Sequence, residues 1–163
     1  MLHRLRSPRA SAVSRGVPLQ YLRAISALTV YKTYGTGVDI AQISRFKRTI
    51  DRYGPRFYAK ALHPAEIAHI TALAESKPDS RAVFLASRWA AKEAFTKAVG
   101  VRLLFPEMRV ARVGAAAPTL ELSGAASAHC SKRGLRSFLS ISHDGDYAVA
   151  TVTLEQAVRV EIE

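Results

Sequence analysis

The chain has 163 residues, 48% hydrophobic and 23% charged, enough apolar residues to bury one core and a balance that excludes wholesale disorder. Its one cysteine, Cys130, excludes an internal disulfide and a cysteine-rich zinc site, and it fits a reducing compartment. The formal charge of +11 is unevenly placed: Arg4, Arg6, Arg9, Arg15, Arg23 and Lys32 precede the first acid, Asp39. The 24 basic residues less these six leave 18 against 13 acidic ones, or +5, for the remainder. A leader rich in Arg, Ser and Ala and free of acid has the composition of a mitochondrial transit peptide. Such a segment is drawn to an anionic, negative-inside membrane. A leader is therefore expected over residues 1–33 and a folded domain over 34–163, placing the protein in the mitochondrial matrix. A plain basic tail or a misplaced start codon would leave it in the cytoplasm. No run reaches the length of a membrane span; Tyr21 to Tyr31 is short and contains Arg23. No membrane partner is expected.

In chain order, Thr36 to Ile40 (TGVDI) reads as the end of a short strand that delivers Asp39. Ile40 to Tyr53 reads as a helix with Ile43, Phe46 and Ile50 on one face, stopped by Gly54 and Pro55. His63-Pro64-Ala65-Glu66 opens the next helix, with Pro64 in the first turn, Glu66 at the capping-box position and His63 at the cap. A loop over Lys77 to Ser80 leads, through Asp79 or Ser80 as cap, into a long helix ending at Gly100. Strands are expected near Met108 to Val113, Thr119 to Leu122, Phe138 to His143 and Tyr147 to Leu154, with a short helix over Gly124 to Lys132. Asp144-Gly145-Asp146 forms the hairpin turn between the last two strands. Helices followed by antiparallel strands predict an α+β domain, helices packed on a small antiparallel sheet.

The helix from Ala82 to Val99 is apolar around most of its circumference, as a core helix is. It nevertheless carries Arg88, Lys92, Glu93 and Lys97, charges that are costly in a core unless paired or bound to something. Glu93 and Lys97 are four apart and share a face, which allows a simple intrahelical salt bridge. Alternatively, Asp39 at a strand end and Glu93 on the helix could be two oxygen ligands for Mg²⁺, which takes one or two carboxylates with water and phosphate. The sequence does not place them together. His143 ends the alternating FLSISH strand, and a lone His at a strand end is more often a packed or surface residue than a catalyst. Two other patterns fail. Asp144, Asp146 and Glu155 imitate an EF-hand, but Ala148 and Val149 stand where a ligand and the required glycine belong. His63, Glu66 and His69 do not converge on one helical face, so they form no zinc site.

The segments GVDI (Gly37 to Ile40), RFKRTIDRYGPRF (Arg45 to Phe57), FLASRWAAKEAFTKAVG (Phe84 to Gly100), PTLELSGAA (Pro118 to Ala126) and SISHDGDYAVA (Ser140 to Ala150) occur in an order that resembles the holo-acyl-carrier-protein synthase family of 4′-phosphopantetheinyl transferases. The resemblance spans about residues 34 to 155, and a basic leader suggests a eukaryotic mitochondrial member. It implies an enzyme that moves the 4′-phosphopantetheine arm of coenzyme A, its substrate, onto a serine of an acyl carrier protein. It implies Mg²⁺ held by Asp39 and Glu93, and Lys97 beside the reacting phosphate; Glu93 and Lys97 would be the catalytic pair. Arg88, Lys92 and His143 would join Lys97 around coenzyme A, with Asp144 supporting that site. Arg45, Arg52 and Arg56 match the family's basic carrier-protein surface, which suits an acidic partner. Short family members of this type are similar to homotrimers with sites between subunits. Two connections depart from the pattern. Gly100 runs into Val-Arg-Leu-Leu-Phe where the family has a glycine-rich turn, and Ala116-Ala117 replaces Gly-Lys before the PTLEL strand.

Two readings compete. One is a non-catalytic basic RNA-binding protein of the organelle; no RNP-like aromatic strand, zinc-finger spacing or basic heptad supports it, so nucleic acid is not an expected partner. The other is a degenerate transferase that binds coenzyme A without turnover, against which the retained Asp39, Glu93 and Lys97 argue.

Overall fold

The structure is a computed structural model and describes residues 27–161; most of the expected leader lies outside the described residues. In chain order come β1 (Ala27–Gln42), α1 (Ile43–Tyr53), α2 (Pro55–Ala61), α3 (Pro64–Ser76) and α4 (Ser80–Val99), then a 3₁₀ turn (Phe105–Glu107). β2 (Met108–Ala111), β3 (Thr119–Leu122), α5 (Gly124–Lys132), β4 (Leu135–Asp144) and β5 (Tyr147–Glu161) complete the chain. One sheet has the order β1-β5-β4 and a second pairs β2 with β3. The fold is α+β, as expected. The chain divides into a main body, Tyr31–Val158, and a second unit, Met1–Val30 with Arg159–Glu163. Of the second unit only the outer ends of β1 and β5 are described.

α4 is the core helix that its composition predicts. Leu85, Ala86, Ala90, Ala91, Ala94 and Phe95 are completely buried, and the helix packs on α1, α3, β2 and β4. Ala-rich faces let neighbouring backbones approach closely, and β1 uses this. A Cβ on Gly37 would lie 2.0 Å from the Ala94 carbonyl oxygen, and one on Gly35 would lie 2.1 Å from that of Ala98. The two glycines of the GTGVD segment therefore let the strand backbone rest on the helix backbone. β4 and β5 form a hairpin with Asp144 opposite Tyr147 and Phe138 opposite Thr153. Its inner face buries Leu139, Ala148, Ala150, Val152 and Leu154, the period-two pattern of a sheet with one covered side.

Several boundaries differ from the sequence reading; β4 starts at Leu135 and β5 runs to Glu161, both longer than expected. β1 starts at Ala27 rather than near residue 34, because Leu28 to Tyr31 are strand-forming residues whatever their lack of acid. α1 starts at Ile43, and Ile40 is instead a strand residue, 64% exposed. Gly54 and Pro55 do stop α1, but Pro55 also opens α2, where a missing N–H at the first turn costs nothing. The capping box of α3 forms as expected: Glu66 accepts from the His63 N–H at 2.9 Å, and His63 Nδ1 accepts from the Ala65 N–H at 3.2 Å. Among the described residues, no helix is long and apolar enough to cross a membrane.

Candidate active site

Gly35 and Gly37 carry β1 along α4 so that Asp39 reaches the helix face bearing Lys97. Lys97 Nζ donates to Asp39 Oδ1 and to the Val38 carbonyl, each at 2.9 Å. The Asp39 side chain is 16% exposed and that of Lys97 52%, so the pair sits at a wet edge. Glu93 lies one turn before Lys97 and on the same face. The intrahelical Glu93–Lys97 bridge is not what the structure holds; Lys97 pairs with Asp39, and Glu93 has no ion pair or hydrogen bond among the described residues. Asp39 and Lys97 are thus brought into contact, with Glu93 one turn before Lys97 on the same face of α4.

Glu93 also lines a groove of about 470 Å³ with Phe57, Lys60, Trp89, Thr96 and Arg102. Its floor is aromatic: Trp89 stacks on Phe57 at 5.6 Å and meets Phe105 edge-on at 5.0 Å. The departing segment after Gly100 supplies one wall through Arg102, Leu103 and Leu104. Beside the groove lie α1 and α2. Arg45 and Arg52, seven apart on α1, share a face that includes Arg48, and Arg56 continues the charge onto α2; all four are exposed. The docking set read from the sequence left out Arg48 and Lys60, although the i, i+3, i+7 spacing of Arg45, Arg48 and Arg52 was a signal for the first.

Five residues before Glu93, and therefore rotated by about 140° around the helix, Arg88 faces a different cavity. This cleft, about 710 Å³, is lined by Arg88, His69, Phe84, Ser87, Arg112, His143 and neighbours. Arg88 lies 4.1 Å from the Phe84 ring centroid, and its Nε is buried with no hydrogen-bond partner among the described residues. Burial pushes the Arg88 guanidinium down from its ordinary value, and the charge of Glu66 opposes that shift. A buried donor without an acceptor, in a cleft with further cations, suits an anion. His143 reaches the same cleft from the end of β4, and Asp144 is exposed beside it. His69, set aside as a zinc ligand, lies here with its ring 4.8 Å from that of Phe84.

Lys92 requires a correction. The resemblance put it beside coenzyme A, but it is fully buried and donates to Glu66 Oε2 at 2.5 Å and to the Ala61 carbonyl at 2.9 Å. Burial lowers its pKa, with the Glu66 charge and hydrogen bond opposing. Glu66 also accepts the Val110 N–H at 2.9 Å. Lys92 therefore joins α2, α3, α4 and β2 and presents no ammonium to a ligand. Asp146, read only as a turn residue, holds the start of α1: its Oδ1 accepts the Ser44 N–H at 2.8 Å, and its Oδ2 accepts the Ser44 hydroxyl at 2.7 Å.

The family model described as the 4′-phosphopantetheinyl transferase superfamily matches residues 35–152, which contain every one of these groups. The chain belongs to this family. It is 39% identical over 128 residues to the holo-[acyl-carrier-protein] synthase of Dechloromonas aromatica, covering 76% of this chain and 98% of that protein. Its fold is similar to the holo-[acyl-carrier-protein] synthase of Neisseria meningitidis, with a TM-score of 0.68, 30% identity and coverage of 76% of this chain and 98% of that one. The Bacillus anthracis holo-(acyl-carrier-protein) synthase, solved in complex with CoA (3′,5′-ADP), matches with a TM-score of 0.63 and 30% identity over 76% of this chain and 97% of that one. No three His, Cys, Asp or Glu side chains gather into a metal cage among the described residues. The hard carboxylate oxygens of Asp39 and Glu93 fit the two-carboxylate requirement of Mg²⁺.

Proposed function

We propose that this protein transfers the 4′-phosphopantetheine arm of coenzyme A to a serine hydroxyl of an apo-acyl carrier protein. The observation that carries the reading is the Asp39–Lys97 pair on α4, with Glu93 one turn before Lys97 on the same helical face, in a chain of this family. The serine oxygen attacks the β-phosphorus of coenzyme A, a new P–O bond forms, and the bond to adenosine 3′,5′-bisphosphate breaks. Lys97 carries a half-exposed ammonium that offsets charge on the departing phosphate. Glu93 lines the aromatic groove; the serine proton goes either to its carboxylate or to a water held beside it. Arg88 and His143 hold the nucleotide end in the larger cleft. Asp39 and Glu93 would hold Mg²⁺, which when bound neutralises pyrophosphate charge and polarises the reacting phosphorus. The groove with Lys60 and Arg102, continuing the cationic face of Arg45, Arg52 and Arg56, suits an acidic carrier that offers an apolar side chain.

The same geometry supports a homotrimer with sites shared between subunits. Arg88 and Glu93 line different cavities, so a neighbouring copy would bring one cleft to the other's carboxylates. The outer face of the larger sheet leaves Tyr34, Val38, Ile40, Phe138 and Tyr147 between 38% and 64% exposed, an apolar patch of the kind that marks an interface. We further propose that residues 1–33 direct the chain to the mitochondrial matrix; a fusion of that segment to a reporter that stays cytosolic would overturn this. Incubating the protein with coenzyme A, Mg²⁺ and apo-carrier protein should add one phosphopantetheine to the carrier by intact mass. No mass gain, together with a shift on RNA, would replace the enzyme by an RNA-binding protein.

A further inference from the structure

α1 begins badly by local rules. Its N-cap residue, Gln42, makes no side-chain cap hydrogen bond, and its first turn has no acid. Instead Arg45 stands in that turn, where a cation opposes the positive end of the helix dipole. The missing acceptors come from the far end of the sequence. Asp146, in the turn between β4 and β5, accepts the Ser44 N–H and hydroxyl through its two carboxylate oxygens at 2.8 and 2.7 Å. Its own carbonyl accepts the Ile43 N–H at 2.8 Å. Hydrogen bonding from Ser44 lowers the Asp146 pKa, with Arg48 contributing, so the carboxylate stays charged beside the cationic helix.

We propose that Asp146 is a positioning residue for the carrier protein: it caps α1 from another element and so fixes Arg45, Arg48 and Arg52 in the geometry that docks the acidic partner. The inference rests on the docking-face reading above. A helix that must present cations from its first turn cannot cap itself with an acid at no cost to that surface. An acid delivered from the hairpin turn at the base of α1 satisfies the helix end while the arginines stay on its exposed side. Because the same turn follows His143 and Asp144, the docking helix is also registered against the strand end that lines the nucleotide cleft. Asp39 does not depend on this cap, since β1 is held by strand pairing and by the close approach of Gly37 to Ala94.

The test compares steady-state kinetics for both substrates in wild type, Asp146→Ala, Asp146→Asn and Arg45→Glu, with melting temperatures on the same samples. Loss of a cap frays the first turn and should raise KM for the carrier protein about fivefold in Asp146→Ala, with less in Asp146→Asn, which keeps one acceptor. KM for coenzyme A and kcat should stay within about twofold. Gln42→Asp, which supplies a local cap, should restore the carrier KM in the Asp146→Ala background. A carrier KM unchanged in Asp146→Ala while Arg45→Glu raises it would overturn the positioning role and leave the docking face intact. A carrier KM unchanged in Arg45→Glu would overturn the docking face itself. Equal increases in both KM values for Asp146→Ala would show general loosening and also overturn the proposal.

Discussion

Lys92→Met is the sharpest test of where α4 sends its charges. The wild-type ammonium and the Glu66 carboxylate are 0% and 4% exposed, so the pair is desolvated, and removing one partner of such a pair costs about 3–5 kcal/mol. In Lys92→Met, Glu66 still accepts the His63 N–H at one oxygen and the Val110 N–H at the other, which places the cost near the lower end, about 3 kcal/mol. For a chain of this size that is roughly 6–12 °C in melting temperature. Glu66→Gln is worse: the buried ammonium loses its counter-charge and keeps only neutral acceptors, and the new amide N–H₂ opposes the Val110 N–H, so about 5 kcal/mol is expected. That larger cost depends on pH. Burial already lowers the Lys92 pKa, and without Glu66 the folded state favours the neutral amine further. The unfolded chain then binds more protons, so Glu66→Gln should gain stability as pH rises towards the ordinary lysine value. The double variant Glu66→Gln with Lys92→Met should lose much less than the sum. Denaturant melts with parallel measurement of KM for coenzyme A provide the assay. A Lys92→Met protein with wild-type stability and a raised KM for coenzyme A would refute the reasoning, because the ammonium would then be reaching a ligand rather than Glu66.

Other consequences are as direct. Asp39→Asn and Glu93→Gln should fold normally and lose turnover by a factor on the order of 100 or more, far from additively, with partial rescue of each single variant by extra Mg²⁺ or Mn²⁺; near-normal turnover in Glu93→Gln would remove it from the site. Gly37→Ala would drive a methyl to 2.0 Å from the Ala94 carbonyl oxygen, so the strand must lift from α4; it should lower both melting temperature and kcat, whereas the same change at exposed Gly114, strained by its φ of 55° but with open space around it, should lower melting temperature and leave kcat unaltered. The lowered Asp146 pKa means that its contribution is full above the ordinary aspartate value and disappears as pH falls through the folded one. Melting temperature should therefore fall more steeply below about pH 4 in wild type than in Asp146→Asn; parallel acid limbs would contradict this.

What the sequence revealed and what it hid follow one physical division. α4 was legible because an Ala-rich helix, apolar around its circumference, can only be a core element, and the β4–β5 hairpin was legible from alternation and the Asp-Gly turn. Gly37 was legible as part of a motif but not as a reason, and Gly35 not at all: only the structure shows the backbone contacts with Ala94 and Ala98 that make a side chain impossible there. Charge pairing was the least legible property. Lys97 had a partner available four residues away and took one 58 residues away instead. Lys92 looked like a ligand-binding cation until Glu66, 26 residues before it, was found on its ammonium. Local spacing states which side chains can meet, but the choice among distant acids is made by packing. The cap of α1 is the same lesson at longer range, since Ser44 and Asp146 are 102 residues apart.

The helical period, in contrast, carries information that the motif alone conceals. RWAAKEAFTKA places Arg88, Lys92, Glu93 and Lys97 within ten residues of chain, and a reader of the string would put all four in one site. Wound at 3.6 residues per turn, they divide. Lys92 turns inward to a buried acid, Arg88 turns to a cleft with His143, and Glu93 with Lys97 turns to Asp39 and the aromatic groove. A reaction that needs both the nucleotide cleft and the carboxylates then requires either a substrate that bends around α4 or a second copy whose cleft faces the first copy's carboxylates. The bare apolar face on the sheet that carries both Asp39 and His143 favours the second solution. If that is the arrangement, a charge placed on the face but away from either substrate, such as Phe138→Glu, should dissociate the assembly and abolish turnover together. Mixing such a variant with an active-site variant should restore nothing. An isolated subunit that is monodisperse by light scattering and fully active would instead place the whole reaction within one chain.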